Sequence, residues 1–339
     1  MRSPSGEGKV RYRSLSLGLP KMESTPAISV SGLNKSFGPF KALSEVSFSV
    51  PRGKIFAYLG PNGAGKTTTI KILAGLLDRD AGEVSICGAD VAKAPVFVKG
   101  RIGVVPDESN LYPELTCRRN LEYLGELYGL SRGARNAKAG ELLEFFDLAG
   151  RATTPFGALS KGLKRRLTIA AALVHDPEVV FLDEPTSGLD VPSARTLREL
   201  IRTINHRGAT VFLTTHNLQE AETLSQKVLI LIKGRVAALG TPGEIRQRVQ
   251  GVNLVSVSFS PEIEATRLLR ACPAVLKTSS RNGTWDLEVT EANAALEQLV
   301  AFAGSEGVRI AAISTVTPSL EDAFMSLLKE GGPEAEALP

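Results

Sequence analysis

Nine consecutive residues, Gly60-Pro61-Asn62-Gly63-Ala64-Gly65-Lys66-Thr67-Thr68, carry the densest chemistry in this sequence. The first eight, Gly60 to Thr67, fit the spacing G-x-x-x-x-G-K-[ST]. Glycines at these places let successive backbone N–H groups curl around a phosphate, in conformations that a Cβ obstructs. A helix opening at Thr67 turns the positive end of its dipole on the same spot. Lys66 is spaced to reach the outer phosphates of a nucleoside triphosphate, and the Thr67 hydroxyl to meet Mg²⁺. A glycine-rich turn with a surface lysine is the plainer alternative, and the rest of the chain decides between them.

A second constellation lies further on. Val179-Val180-Phe181-Leu182-Asp183-Glu184 is an apolar run that ends in two carboxylates. A buried strand delivering acids at its C-terminal end matches the place where parallel sheets bind ligands. Asp183 is suited to hold Mg²⁺, and Glu184 to orient and polarise an attacking water. On its own the run equally suits an acidic cap after a core strand; after a phosphate loop, in this order, it reads as catalytic. His216 ends a strand-like run, 210–215, where it could meet a terminal phosphate and the water-orienting carboxylate. His175 and His206 fall near helix ends and read as caps.

Positioning these groups takes alternating strands and helices. β-rich runs occur at 43–50, 54–59, 102–105, 179–182 and 210–214, several of them continuously apolar, as strands buried on both faces are. Helical spacing places Leu121, Leu124 and Tyr128 on one face of 117–129. It places Leu142, Leu143 and Phe146 together in 134–147, and Leu197, Leu200, Ile201 and Ile204 together in 191–206. The alternation predicts a largely parallel sheet, with 43–59 as an antiparallel addition. The pattern restarts near Gly251. Strand 252–259, helix 261–272, strands 274–280 and 284–290 about an Asn282-Gly283 turn, helix 292–304, strand 308–316 and helix 319–329 follow. The order βαββαβ with a closing helix predicts a small ferredoxin-like α+β unit.

Composition narrows the function classes. A chain of 339 residues with 43% hydrophobic content has enough for a full domain and a smaller second one. A net charge of +4 lacks the concentrated basic face of a nucleic-acid binder, so no nucleic-acid partner is expected. Cys87, Cys117 and Cys272 form no C-x-x-C pair, which fits a reducing compartment without a zinc site. No apolar stretch approaches the roughly 18 residues of a spanning helix, so work at a membrane requires another chain to cross it. Residues 1–25, Ser-rich and acid-poor early on, read as a loose extension ahead of the folded chain, with a faint transit-peptide flavour. Residues 331–339 read as a tail.

Taken in order, these motifs resemble the ATP-binding cassette (ABC) family. Leu159-Ser160-Lys161-Gly162-Leu163-Lys164-Arg165-Arg166-Leu167 is similar to that family's signature loop and helix. Pro185-Thr186-Ser187-Gly188-Leu189-Asp190 resembles the segment joining the second acidic motif to the D-loop. His216 matches the switch histidine, and Phe37 matches the aromatic that stacks on adenine; a core Phe is the plainer reading of Phe37.

The resemblance implies an α/β P-loop NTPase cassette over 26–250, with a mixed, mostly parallel sheet, antiparallel strands and a helical subdomain at about 107–175. A C-terminal α+β accessory domain then occupies 251–330. It implies ATP and Mg²⁺ as cofactors. Lys66, Glu184 and His216 would be catalytic, the loop 60–68 and Phe37 would hold nucleotide, and Thr67, Asp183 and Asp107 would hold the metal. The family usually has Gln where Asp107 stands, and Lys161 and Leu163 replace its usual Gly and Gln. Such substitutions are similar to a branch of drug and sodium exporters of the daunorubicin-resistance type. Pro318-Ser319-Leu320-Glu321-Asp322-Ala323-Phe324 also resembles that branch's tail motif, although Glu321 and Asp322 suit the first turn of any helix.

The resemblance further implies a head-to-tail partner cassette, a second copy or a paralogue. Ser160 and the Gly162 backbone, at the start of helix 160–174, would close on the γ-phosphate that the partner holds. Membrane-spanning permease subunits would dock on 107–150, where Tyr112, Leu115 and Tyr123 are candidate contacts, at the cytoplasmic face of the membrane. The rival readings are a soluble cassette ATPase of translation or repair, an importer subunit, and a regulator without turnover. The single phosphate loop and the absence of a heptad array speak against the first.

Overall fold

The computed structural model describes residues 25–248, 253–260, 263, 265–281, 283–316 and 319–330. The extension 1–24, the tail 331–339, the linker near 250, Asn282 and Pro318 lie outside the described residues. The chain divides into two compact units, Met1–Val236 and Ala237–Pro339.

In the first unit, the strands nearest the N-terminus form a four-stranded antiparallel sheet in the order β2-β1-β4-β5. These are β1 (Ile28–Phe37), β2 (Phe40–Val50), β4 (Ala81–Ile86) and β5 (Ala89–Asp90). The second half of β2 alternates buried and exposed residues, as a strand with one wet face does. β3 (Ile55–Leu59) follows after Pro51-Arg52-Gly53 and is buried at every position. It does not join the antiparallel strands, so the expectation for 43–59 holds for β2 and fails for β3. A strand whose two faces are both apolar needs cover on both sides, and β3 finds it in the middle of a six-stranded sheet.

That sheet runs in the order β10-β9-β3-β8-β7-β6, with β6 (Ile102–Val105), β7 (Val179–Asp183), β8 (Thr210–Thr215), β9 (Lys227–Ile232) and β10 (Arg235–Gly240). β6, β7, β8, β3 and β9 are parallel neighbours. β9 and β10 meet at Lys233-Gly234, both at positive φ, as a tight hairpin turn requires. Phe48, Phe56, Tyr58 and Phe212 stack at ring separations of 5.3–5.9 Å in the core of this unit. Such contacts give aromatic pairs roughly 0.5–1.5 kcal/mol beyond their burial.

The helices of this unit are α1 (Lys66–Leu73), α2 (Pro95–Lys99), α3 (Cys117–Leu127), α4 (Arg132–Phe145), α5 (Lys161–Ala172), α6 (Val191–His206) and α7 (Leu218–Leu224). Thr116, Ser131, Ser160, Asp190 and Asn217 cap α3, α4, α5, α6 and α7, each accepting an N–H from the first turn. Leu142, Leu143, Leu197, Leu200, Ile201 and Ile204 are buried as the helical spacing predicts. His206 is the last residue of α6. His175 is not a cap. Its ring stacks on Tyr128 at 3.6 Å and its Nε2 meets the Ile102 carbonyl at 2.9 Å, and burial holds its pKa down.

The second unit carries α8 (Pro242–Arg248), β11 (Asn253–Ser260), α9 (Ala265–Ala271), β12 (Val275–Arg281), β13 (Thr284–Val289), α10 (Ala292–Glu306), β14 (Arg309–Val316) and α11 (Leu320–Glu330). The antiparallel order β12-β13-β11-β14 is the ferredoxin-like arrangement that βαββαβ predicts. Val255, Val257, Leu268, Leu287, Val289 and Leu299 are fully buried in its core. Ser319 and Asp322 form a reciprocal capping box at the start of α11. In this structure Asp322 serves as an ordinary first-turn acid.

Candidate active site

Register in the parallel sheet brings the chemistry to one edge. Leu59 pairs with Thr215, and Asp183 with Thr214. Val105 pairs with Leu182. The residues that follow β3, β7, β8 and β6 therefore leave the sheet side by side: the phosphate loop, Glu184, His216 and Asp107. This is the C-terminal edge, where parallel sheets place their sites.

The loop itself is shaped by its glycines. Gly63 and Gly65 lie at φ 78° and 106°, and Gly65 stands just before α1. A Cβ on Gly65 would come within 2.7 Å of the Ala42 carbonyl oxygen, and one on Gly60 within 2.5 Å of the Leu231 carbonyl oxygen. Only glycine lets the loop lie this close to β2 and β9. Lys66 is buried and donates to the carbonyls of Gly60 at 2.8 Å and Pro61 at 3.2 Å. Its ammonium also faces Glu184 Oε1 at 3.2 Å.

The two carboxylates differ in their partners. Asp183 is buried and accepts from the Thr67 hydroxyl at 3.0 Å through Oδ2, and from the Thr214 hydroxyl through Oδ1. The Thr67 hydroxyl and Asp183 are hard oxygen donors in hydrogen-bond contact, the donor set Mg²⁺ takes. Glu184 sits at φ 44°, left-handed backbone that costs a side-chain-bearing residue roughly 1–3 kcal/mol. Its N–H reaches the Thr214 carbonyl at 3.1 Å, and its Oε2 meets His216 Nδ1 at 2.9 Å. Glu184 thus lies between a cation of the phosphate loop and the exposed imidazole after β8.

An open cleft of about 370 Å³ runs from this cluster along the loop. Phe37, Phe40, Ala42, Asn62, Asp107 and Glu184 are among the residues on its walls, together with Thr67 and Thr68. Phe37 is 49% exposed, so the core reading of it fails, and it shares the hairpin tip with Phe40, 60% exposed. Sequence reasoning missed Phe40. The available signal was the Phe37-Gly38-Pro39-Phe40 turn, which puts two aromatics on one tip. Asp107 is exposed, at the loop after β6.

Ser160 and Gly162 stand apart from this cleft. Ser160 caps α5, and a Cβ on Gly162 would come within 2.9 Å of the Ser193 hydroxyl on α6. The described part of the chain brings together the loop, Asp183, Glu184, His216, Phe37 and Asp107, but not the signature residues. Tyr112 and Tyr123 are exposed and meet edge to face at 5.3 Å. Leu115 is half-buried. A separate groove of about 320 Å³, lined by Leu76, Val104, Leu124 and Tyr128 among others, lies beside α3. Among the described residues no helix is long and apolar enough to cross a membrane.

Comparison with known proteins adds the family to this description. Residues 43–187 match the family model for the ABC transporter, and residues 240–328 match that for the C-terminal domain of DrrA1-3-like ATP-binding proteins. The linearmycin resistance ATP-binding protein LnrL of Bacillus subtilis (strain 168) is 33% identical over 87% of this chain and 96% of its own length. The daunorubicin resistance ATP-binding protein DrrA3 of Streptomyces coeruleorubidus is 36% identical over 89% and 95%. The Nod factor export ATP-binding protein I of Ralstonia nicotianae is 40% identical over 74% and 78%. Among solved structures, an ATP-binding subunit of an ABC transporter has a TM-score of 0.60 at 34% identity, over 66% of this chain and 92% of that one. The cassette MJ0796, in a dimeric post-hydrolysis state with ADP and Pi, has a TM-score of 0.58 at 26% identity, over 63% of this chain and 98% of that one. The chain belongs to the ABC transporter family as an ATP-binding, ATP-hydrolysing cassette with a DrrA1-3-like C-terminal domain.

Proposed function

We propose that this cassette drives an exporter from the cytoplasmic face of a membrane, as one of two cassettes that close on ATP against permease subunits. The observation that carries the reading is the convergence of Lys66, Thr67, Asp183, Glu184 and His216 on one phosphate loop. The relatives named for drug resistance and Nod factor export, matched over both domains in the first two cases, support the exporter assignment.

In this reading the loop amides and Lys66 bind the phosphates, and Phe37 with Phe40 packs the base. Thr67 and Asp183 would hold Mg²⁺, with Asp107 on the wall of the same cleft; bound there, the ion would offset charge on the phosphate oxygens. Lys66 leaves Glu184 for the outer phosphates. Glu184 then orients the attacking water, and His216 holds the carboxylate and meets the γ-phosphate. Ser160 and the N–H groups at the start of α5 complete the partner's site. The Tyr112–Tyr123 pair and the groove beside α3 receive the permease.

Steady-state ATP hydrolysis across protein concentration, with Glu184→Gln as control, tests this. Activity rising more than linearly with protein and lost in the control is expected. Activity strictly linear in protein and retained in the control counts against both the paired cassettes and the role of Glu184. Capture of a co-expressed membrane-spanning partner, weakened by Tyr112→Ala with Tyr123→Ala, tests the docking surface.

A further inference from the structure

Arg165 is a buried cation that the mechanism above does not use. It lies in the second turn of α5, after the Ser160 cap, and is 8% exposed. Its guanidinium spends its donors on backbone carbonyls. Nε donates to Pro185 at 3.0 Å, Nη2 to Asp183, and Nη1 to both Pro106 and Asp107, the latter at 3.1 Å. Four carbonyls from two loops of the active site thus converge on one side chain. A planar fork of five N–H groups is suited to such a task, and an ammonium is not.

The arrangement bears on Glu184. That residue holds a left-handed backbone at φ 44°. The carbonyls on either side of it, Asp183 and Pro185, are both bonded to Arg165. The Glu184 N–H is fixed from the other side by Thr214. The peptide units around Glu184 are therefore clamped between β8 and α5, and this aims the carboxylate at Lys66 and His216. The same guanidinium holds the carbonyl of Asp107. Burial opposes the charge on Arg165 and holds its pKa down, and the carboxylates of Asp107, Asp183, Glu220 and Glu184 offset part of that cost.

We infer that Arg165 is the positioning residue for Glu184: by clamping the flanking carbonyls it holds the water-orienting carboxylate in its strained conformation. It ties that conformation to the first turns of α5, the helix whose start faces a partner cassette. The inference rests on Glu184 being the water-orienting residue, as proposed above.

The test uses the full chain with Arg165→Lys, Arg165→Gln and Arg165→Ala, each checked for cooperative thermal unfolding. ATP affinity, kcat and KM are measured for each. Single-turnover hydrolysis of radiolabelled ATP is measured for Glu184→Gln alone and combined with Arg165→Lys. A displacement of the carboxylate by about 1 Å costs on the order of 100-fold in rate. We expect kcat to fall by about 10- to 100-fold with no weakening of ATP affinity, because the phosphate loop does not depend on Arg165. Lys, which can reach one or two carbonyls, should retain more rate than Ala. In the Glu184→Gln background the Arg165→Lys change should cost nothing further, as residues acting through one another are non-additive.

Three results overturn the inference. One is a kcat within twofold of wild type in folded Arg165→Ala and Arg165→Lys. Another is a loss that multiplies with Glu184→Gln. The third is loss of cooperative unfolding in all three Arg165 variants, which makes Arg165 a residue of folding alone. If instead Glu184→Gln hydrolyses like wild type, the reading of Glu184 itself has failed, and this is seen before any Arg165 variant is measured.

Discussion

Replacing Glu184 by Gln should do two opposite things, and the Lys66 contact sets their sizes. The Lys66 ammonium and Glu184 Oε1 lie 3.2 Å apart, with both side chains largely buried. At that distance two unit charges attract by about 5 kcal/mol at an effective dielectric of 20, and by about 1.3 kcal/mol in bulk water. Desolvation takes back much of this, and roughly 1–2 kcal/mol is a fair net coupling. Lys66 keeps its bonds to the Gly60 and Pro61 carbonyls in either case. When the outer phosphates compete for Lys66 they must displace Glu184, so Glu184→Gln should tighten ATP binding by about 5- to 30-fold. Hydrolysis should fall by about 10²- to 10⁴-fold, the range for a lost general base. Titration calorimetry of ATP without Mg²⁺, with sedimentation confirming monomer throughout, reads the first effect apart from dimer closure. Unchanged ATP affinity in the monomer would refute the competition for Lys66, whatever happens to turnover.

Two further outcomes follow from the same cluster. Gly65→Ala puts a Cβ at φ 106°, 2.7 Å from the Ala42 carbonyl oxygen and 2.8 Å from Leu43 Cδ2. Strain and overpacking together cost roughly 2–6 kcal/mol. At about 2–4 °C per kcal/mol, calorimetry should show a clear drop in Tm, with nucleotide binding lost; an unchanged Tm contradicts the close approach. Glu220 on α7 is buried, and burial raises its carboxyl above the ordinary value of 4.5 against the pull of the Thr215 and Thr186 hydroxyls. A raised folded-state pKa contributes stability that is whole below the unfolded value and lost as pH climbs through the folded one. Stability should therefore fall with rising pH above 4.5, and Glu220→Gln should flatten that part of the profile; an undiminished slope in the variant assigns it to another group.

How far the sequence could be read depends on whether the relevant physics is local. The phosphate loop was legible because its constraints act within eight residues: glycine φ, the start of α1 and the reach of Lys66. β7 was legible because an all-buried strand leaves a continuous apolar run. The misreading of β3 has the same root. Residues 43–59 contain two burial patterns, alternation in β2 and continuity in β3, with Pro51-Arg52-Gly53 between them. Assigning both runs to one antiparallel addition discarded the difference that places them in different sheets. β1 escaped because its register against β2 and β4 shifts repeatedly, so no clean period survives.

Arg165 shows where local reading stops. Its partners lie 18, 20, 58 and 59 residues away, and all are backbone carbonyls, which carry no residue identity. No motif can encode such a contact from the acceptor side. The donor side still leaves a trace. Arg165, Thr168, Ile169 and Ala172 share one face of α5, and Thr168 and Ile169 are buried. A charge placed on the inward stripe of a helix must find hydrogen bonds there or lose several kcal/mol. In a cassette whose inward stripe faces the active-site loops, the groups that remain to be bonded are the carbonyls of those loops. The position of the charge within the period, rather than any match to a motif, is what makes Arg165 a residue to test.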